Sequence, residues 1–323
     1  MGTRSYLLRK VAGALATLTF VLAFNFVLFR AVGDPVKLLT RSQTHLDEAE
    51  AERLRVEFGL DQNLFSQFIG YIPDTLTGNL GTSFISGRPV TAVVGERISK
   101  TVLLVGLSTV FSVALGMLAG IRGAWRRGSA FDQGSLLGSL VFYSMPEGWL
   151  GMLLLVLFAG ALGWFPSGGY QSGGGDLTGL GHINDVAKHV FLPCLTLTLG
   201  YIGEYAIIMR SSLIEVLDED YIQTARAKGL RDDAVRRRHA VPNALLPTLA
   251  LVFYSFGFVL GGAIIVEAVF SYPGLGLLEF QAIESSDFPV IQAVFLLSSA
   301  AVIAFNLVAD ILYGYLDPRI RVS

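Results

Sequence analysis

Six runs of about 20 or more mainly apolar residues, near 11–32, 101–121, 135–162, 190–209, 245–267 and 290–316, constrain this chain more than any other feature. About 20 residues of helix match the roughly 30 Å hydrocarbon core of a bilayer, whereas a spanning strand needs only about 10. Inside hydrocarbon every backbone N–H and C=O must be satisfied within the protein, which leaves the α-helix as the form for runs of this length. The expected fold class is an all-α integral membrane protein with six transmembrane helices. Composition agrees, with 52% hydrophobic and 15% charged residues and a mean hydropathy of +0.57, outside the range of ordinary soluble domains.

Lysine and arginine positions set the expected orientation, because short cytosolic loops carry an excess of them. Arg4, Arg9 and Lys10 precede the first run, and Arg122, Arg126 and Arg127 separate the second from the third. Arg210, Arg226, Lys228, Arg231, Arg236, Arg237 and Arg238 separate the fourth from the fifth, and Arg319 and Arg321 follow the sixth. The alternate segments are poor in them: 163–189 has only Lys188, and 268–289 has none but holds Glu279, Glu284 and Asp287. Both termini are therefore expected in the cytosol. The net charge of −2 conceals this segregation, and no nucleic-acid-binding module is visible.

The expected divisions are an N-terminal transmembrane helix (1–32), an extracytoplasmic loop with short helices (33–100), a transmembrane core (101–316) and a cytosolic tail (317–323). In the loop, Leu46 to Phe58 reads as a helix that Gly59 can stop. The first run, preceded by basic residues, is similar to a signal peptide. It leads into Arg30 and Gly33-Asp34-Pro35 without a small-x-small cleavage site, so a retained anchor is expected. The Gly-rich segment 163–189 is placed outside.

Catalytic and cofactor signals are missing. No Gly-x4-Gly-Lys-Ser/Thr loop, Gly-x-Ser-x-Gly or His-Glu-x-x-His occurs, so neither ATP hydrolysis nor hydrolase chemistry is expected of this chain. His45, His182, His189 and His239 are scattered, and Cys194 is alone, which excludes an intrachain disulfide and offers no metal-ligand spacing. Ionisable residues at membrane depth are functional candidates. Glu204, in the fourth run, is a candidate for lining a translocation pathway; the alternative places it near the cytosolic end, solvated or paired with an arginine. Glu267 and Asp310 can reach an interface, and Asp310 is expected to pair with an arginine. Asn25 and Asn306 are expected to cross-link helices. Gly106, Ser108, Ser112, Gly116 and Gly120 recur at nearly four-residue intervals, which suits close helix packing or a moving gate surface.

The stretch from Asp218 to Pro247 is basic and helical in character. Leu217, Tyr221 and Ala225 fall four apart and predict an apolar row, with Gln223, Arg226 and Lys228 directed elsewhere. Gly229 suits the residue past a helix end, Asp232 and Asp233 the first turn of a second helix, and Pro242 either ends the pattern or enters the next span. The prediction is helix, turn, helix.

Gln223-Thr224-Ala225, three residues, Gly229, nine residues, His239, one residue and Val241-Pro242 resemble the Glu-Ala-Ala, Gly, Ile-x-Leu-Pro signature of ABC importer permeases. Gln replaces Glu, Thr replaces Ala, His replaces Ile and Val replaces Leu. Further runs resemble the peptide (dipeptide, oligopeptide, nickel) branch: Gly33-Asp34-Pro35, Phe58-Gly59-Leu60-Asp61-Gln62, Gly78-Asn79-Leu80-Gly81-Thr82-Ser83, Pro273-Gly274-Leu275-Gly276 and Leu316-Asp317-Pro318-Arg319. The resemblance implies the transmembrane domain of a type I ABC importer. It also implies a second homologous permease subunit, two cytosolic ATPase subunits or domains carrying ATP and Mg, an extracytoplasmic substrate-binding protein and a peptide substrate. In that family the loop corresponding to 217–242 docks an ATPase, which assigns coupling to Tyr221, Gln223, Thr224, Ala225, Arg226, Ala227, Lys228, Gly229, His239 and Pro242. The rival reading, an ATP-independent secondary transporter or channel, calls for intramembrane ion relays or inverted repeats, and neither is evident.

Overall fold

The computed structural model describes residues 3–31, 62–173, 178–258 and 263–316. The helix expected at 46–58 and the tail at 317–323 lie outside the described residues. In chain order the helices are α1 (Thr3–Ala31), α2 (Leu64–Thr77), α3 (Val90–Trp125), α4 (Ala130–Ser144) and α5 (Glu147–Leu154), the last continuing as a π-helical stretch, Leu155–Ala161. Then come α6 (Leu180–Leu217), α7 (Asp220–Ala227), α8 (Asp232–Val235) with a π-helical continuation Arg236–Ala240, α9 (Val241–Phe258), α10 (Ile264–Val269), α11 (Leu275–Glu284) and α12 (Phe288–Leu316). No strand occurs among the described residues beyond an isolated bridge, Thr82 to Pro89. Among the described residues, five helical segments are long and apolar enough to cross a membrane, and a bent pair makes up to six.

The bent pair corrects the sequence reading of a single span over 135–162. α4 and α5 meet at 102°. The break is at Met145-Pro146, where Met145 is extended at φ −79°, ψ 132°. Proline's ring disfavours the helical region for the residue before it, and here that residue leaves the helical region and the helix breaks. Other boundaries shift as well. α3 begins at Val90, inside the segment assigned to the loop, and α6 runs well past both ends of 190–209.

The chain forms two compact units: Met1–Thr101 with Gly257–Ile264 and Pro273–Ser323, and Val102–Phe256 with Ile265–Tyr272. In the first, Val90, Val94, Leu275, Leu278, Val290 and Val294 form an apolar core. Polar bonds tie its helices together. Asn25, fully buried, donates to Tyr71 Oη (3.2 Å) and to the Gln292 carbonyl (3.3 Å), the cross-link expected of an amide in a span. Asp310 pairs with Lys10 at 2.9 Å, and Tyr6 Oη donates to the Asp310 carbonyl at 3.0 Å. The carboxylate's partner is thus a lysine on α1 where an arginine was expected. Asp287, buried, accepts from Ser83 Oγ (2.5 Å) and the Phe84 N–H (3.0 Å).

In the second unit, the small residues of α3 let its backbone approach α6. A Cβ built on Gly116 would lie 2.7 Å from the Ile202 carbonyl oxygen, and one on Gly120 would lie 2.6 Å from that of Ala206. Ser112 Oγ bonds the Thr198 carbonyl at 3.3 Å on the same seam. Here the rhythm serves close packing. Gly106, by contrast, faces open space. The 163–189 segment is not all loop: helix α6 begins at Leu180, and the Gly169 N–H donates to the Phe270 carbonyl at 3.0 Å.

Candidate functional site

The segment after α6 folds as helix, turn, helix within the second unit. Glu219 precedes α7 in an extended conformation, and Asp220 occupies the first turn, where a negative charge complements the helix N-terminus. The helix ends in a Schellman motif: the Gly229 N–H donates to the Arg226 carbonyl (2.9 Å) and the Leu230 N–H to the Ala225 carbonyl (3.4 Å). That motif requires a left-handed residue at its centre, and Gly229 has φ +76°. Asp232 and Asp233 then open α8. Arg226 Nε lies 3.5 Å from Asp232 Oδ1 across the turn, a contact of little energetic weight because both side chains are solvated.

Two kinds of residue divide the loop. Ile222, Ala225, Val235, Ala240 and Ala244 are buried together with Met209, Leu213 and Ala124, which pins α7 against α3, α6, α8 and α9. Fully burying an aliphatic side chain is worth roughly 1.5–3 kcal/mol, so Ile222 and Val235 anchor the loop more strongly than its surface ion pairs do. Gln223, Thr224, Arg226, Ala227, Lys228 and Gly229 are exposed on the other side. A folded scaffold thus presents a polar, basic helix face with an open glycine turn.

The expected apolar row is displaced by one residue. α6 ends at Leu217, so Leu217 does not share a helix with Tyr221. Tyr221 is 41% exposed, and Ile222 is the residue that packs with Ala225. Pro242 enters the next span: it is the second residue of α9, following the π-helical turn Arg236–Ala240 that contains His239. His239 is half-buried, and its carbonyl accepts from Asn243 Nδ2 at 2.6 Å.

Glu204 is half-buried on α6, and the alternative of pairing with an arginine is not realised, as it has no ion pair among the described residues. Glu267 is fully buried in α10. No group of His, Cys, Asp or Glu with metal-holding geometry occurs among the described residues.

One feature escaped the sequence reading. Asp132, 2% exposed in the first turn of α4, accepts from Arg210 Nε at 2.6 Å and Nη2 at 2.9 Å, and from the Gly128 N–H at 2.9 Å. This is a bidentate carboxylate–guanidinium clamp that fastens the start of α4 to α6, where Arg210 directly follows the buried Met209 and precedes Leu213 of the loop's core by about one turn. A signal was present: Ser129, three residues before Asp132, caps α4 by accepting the Asp132 N–H, and Arg210 interrupts an apolar run.

Comparison with known proteins matches this architecture to one family. Residues 112–322 match the family described as binding-protein-dependent transport system inner membrane component, and residues 3–105 match its N-terminal counterpart. A probable peptide ABC transporter permease protein of Sinorhizobium fredii is 37% identical over 321 residues, 98% of this chain and 99% of that one. The glutathione transport system permease protein GsiC of Escherichia coli K12 is 37% identical over 318 residues, with the same coverage. A solved chain of the MetNI methionine ABC transporter in inward-facing form superposes with a TM-score of 0.55 at 18% identity, covering 70% of this chain and 97% of that one. The chain belongs to the binding-protein-dependent transport system inner membrane component family and is a multi-pass membrane permease subunit of an ABC importer, not its ATPase.

Proposed function

We propose that this permease forms half of the translocation pathway for peptides handed over by an extracytoplasmic binding protein, and that 217–242 docks a cytosolic ATPase. The carrying observation is the loop's division into a buried apolar side and an exposed basic side closed by the left-handed Gly229. A rigid element of this kind can pass motion between a motor and helices. A second, homologous permease supplies the other half of the pathway, and ATP with Mg binds on two ATPase subunits or domains. The peptide assignment draws on relatives described as peptide and glutathione permeases. Alternating access then requires two states of the bundle, biased in opposite directions by nucleotide and by the loaded binding protein.

The orientation follows from basic-residue asymmetry, with both termini and the 217–242 loop in the cytosol. Single cysteines test loop and orientation together. Lys228→Cys is expected to react with an impermeant thiol reagent only after permeabilisation and to cross-link to the ATPase, while Ser172→Cys reacts from outside. The reverse labelling refutes the orientation, and labelling as expected without any cross-link refutes the docking role.

Glu204 is the proposed carboxylate of the pathway, available for a substrate amine because it has no ion-pair partner among the described residues. A hydrogen bond to a charged group is worth about 1.5–3 kcal/mol. Glu204→Gln is therefore expected to raise the KM of peptide uptake by roughly 10-fold or more at normal membrane abundance. An unchanged KM removes Glu204 from the pathway.

A further inference from the structure

A cavity of about 600 Å³ in the second unit is lined by Arg122, Arg126, Arg236 and Arg237 together with Trp125 and apolar residues of α3 and α9. Among the described residues one carboxylate offsets these four guanidinium groups: Asp233, which meets Arg236 Nη2 at 2.5 Å and Arg237 Nε at 3.3 Å. Arg122 and Arg126 have no carboxylate partner among the described residues. The cavity therefore carries surplus positive charge. Two of the arginines are held by aromatic rings, Arg122 5.1 Å from the Phe131 centroid and Arg236 5.6 Å from that of Trp125. Such stacking fixes a guanidinium plane and leaves edge N–H groups free for an anion.

The same helix continues away from the cavity as an exposed apolar stripe. Phe111, Leu115 and Leu118 are 49%, 47% and 65% exposed, and Arg122 and Arg126 follow at the next two four-residue steps on that side of α3. An apolar track ending in unpaired guanidinium groups has the shape and polarity of a phospholipid: acyl chain along the stripe, phosphate in the cavity. Trp125 sits at the junction, the depth at which tryptophan is enriched in membrane proteins. Basic pockets beside transmembrane helices on the cytosolic side are suited to anionic headgroups.

We propose that this cavity holds the headgroup of an anionic phospholipid from the leaflet on its arginine-rich side. The proposal needs α3 to span the bilayer; because Arg236 and Arg237 lie within 217–242, lipid retention and ATPase binding are measured separately, so that failure of the docking role does not decide the lipid site. The test is native mass spectrometry of the full-length chain in detergent, titrated with phosphatidylglycerol or with phosphatidylcholine of the same acyl chains. Phosphatidylglycerol is expected to be retained at least about tenfold better. Each arginine near a lipid surface contributes about a fivefold effect. Arg122→Gln, Arg126→Gln and Arg237→Gln combined should therefore reduce retention to the phosphatidylcholine level, while the corresponding triple lysine variant keeps it. Arg236 is left intact because it packs on Trp125. Equal retention of both lipids by the unmodified chain overturns the proposal, as does undiminished retention by the triple glutamine variant. Displacement of the lipid by millimolar inorganic phosphate would reassign the cavity to a free anion. Loss of ATPase binding in the triple glutamine variant with lipid retention unchanged would reassign the arginines to a protein contact.

Discussion

Gly229→Asp is expected to leave the permease at normal abundance in the membrane while abolishing both ATPase co-purification and peptide uptake. The reasoning separates folding from docking. At φ +76° an L-residue pays a left-handed penalty of roughly 1–2 kcal/mol, but aspartate is among the residues that tolerate this region best. A Cβ at Gly229 meets nothing within 4 Å inside the chain, so no internal clash adds to that cost. The buried anchors Ile222, Ala225 and Val235 are untouched. What changes is the exposed surface, where a carboxylate would project from a turn that is otherwise bare. Gly229→Ala carries a comparable backbone penalty with less bulk and should weaken coupling without eliminating it. Normal ATPase binding and normal uptake in Gly229→Asp would show the loop to be a basic connector and nothing more.

Arg210→Ala is expected to destabilise the second unit strongly. Removing one partner of a buried ion pair typically costs about 3–5 kcal/mol, because the remaining charge is left desolvated. Asp132 is nearly inaccessible, with side-chain exposure of 3%, while Arg210 retains 22%, so water can partly reach the gap and the lower end of that range applies. Thermal unfolding in detergent should show a clear loss of stability. The double change Asp132→Leu with Arg210→Met should recover most of it, since replacing both charges by apolar groups of similar size is often close to neutral. A melting temperature unaffected by Arg210→Ala would mean that the clamp contributes nothing to holding α4 on α6.

Sequence and tertiary structure divided the determination of this protein along physical lines. Length and polarity of the apolar runs were enough to determine an all-helical membrane fold, because hydrocarbon leaves the backbone no other way to satisfy its hydrogen bonds over such lengths. Local chemistry was equally legible. Gly229 as a left-handed helix stop and Asp232 with Asp233 as a helix start follow from steric freedom and from the helix dipole, and both stand in the structure. The break at Pro146 is not of this kind: Pro193 and Pro247 lie inside α6 and α9 without ending them, so a proline alone did not decide where a span bends.

Contacts between distant segments were decided only by the fold. Whether Tyr221 or Ile222 faces inward depends on where α6 stops and on which surface Met209, Leu213 and Ala244 present, and a four-residue repeat carries neither fact. Asp310 takes a lysine 300 positions away because α1 lies beside α12. Asp132 and Arg210, 78 positions apart, become one clamp because α4 lies along α6. In the cavity beside α3, arginines that serve in the sequence only as topology markers converge from α3 and from the turn before α9. Charge along a chain is a one-dimensional property; whether it is neutralised or left in surplus depends on distances that packing alone sets.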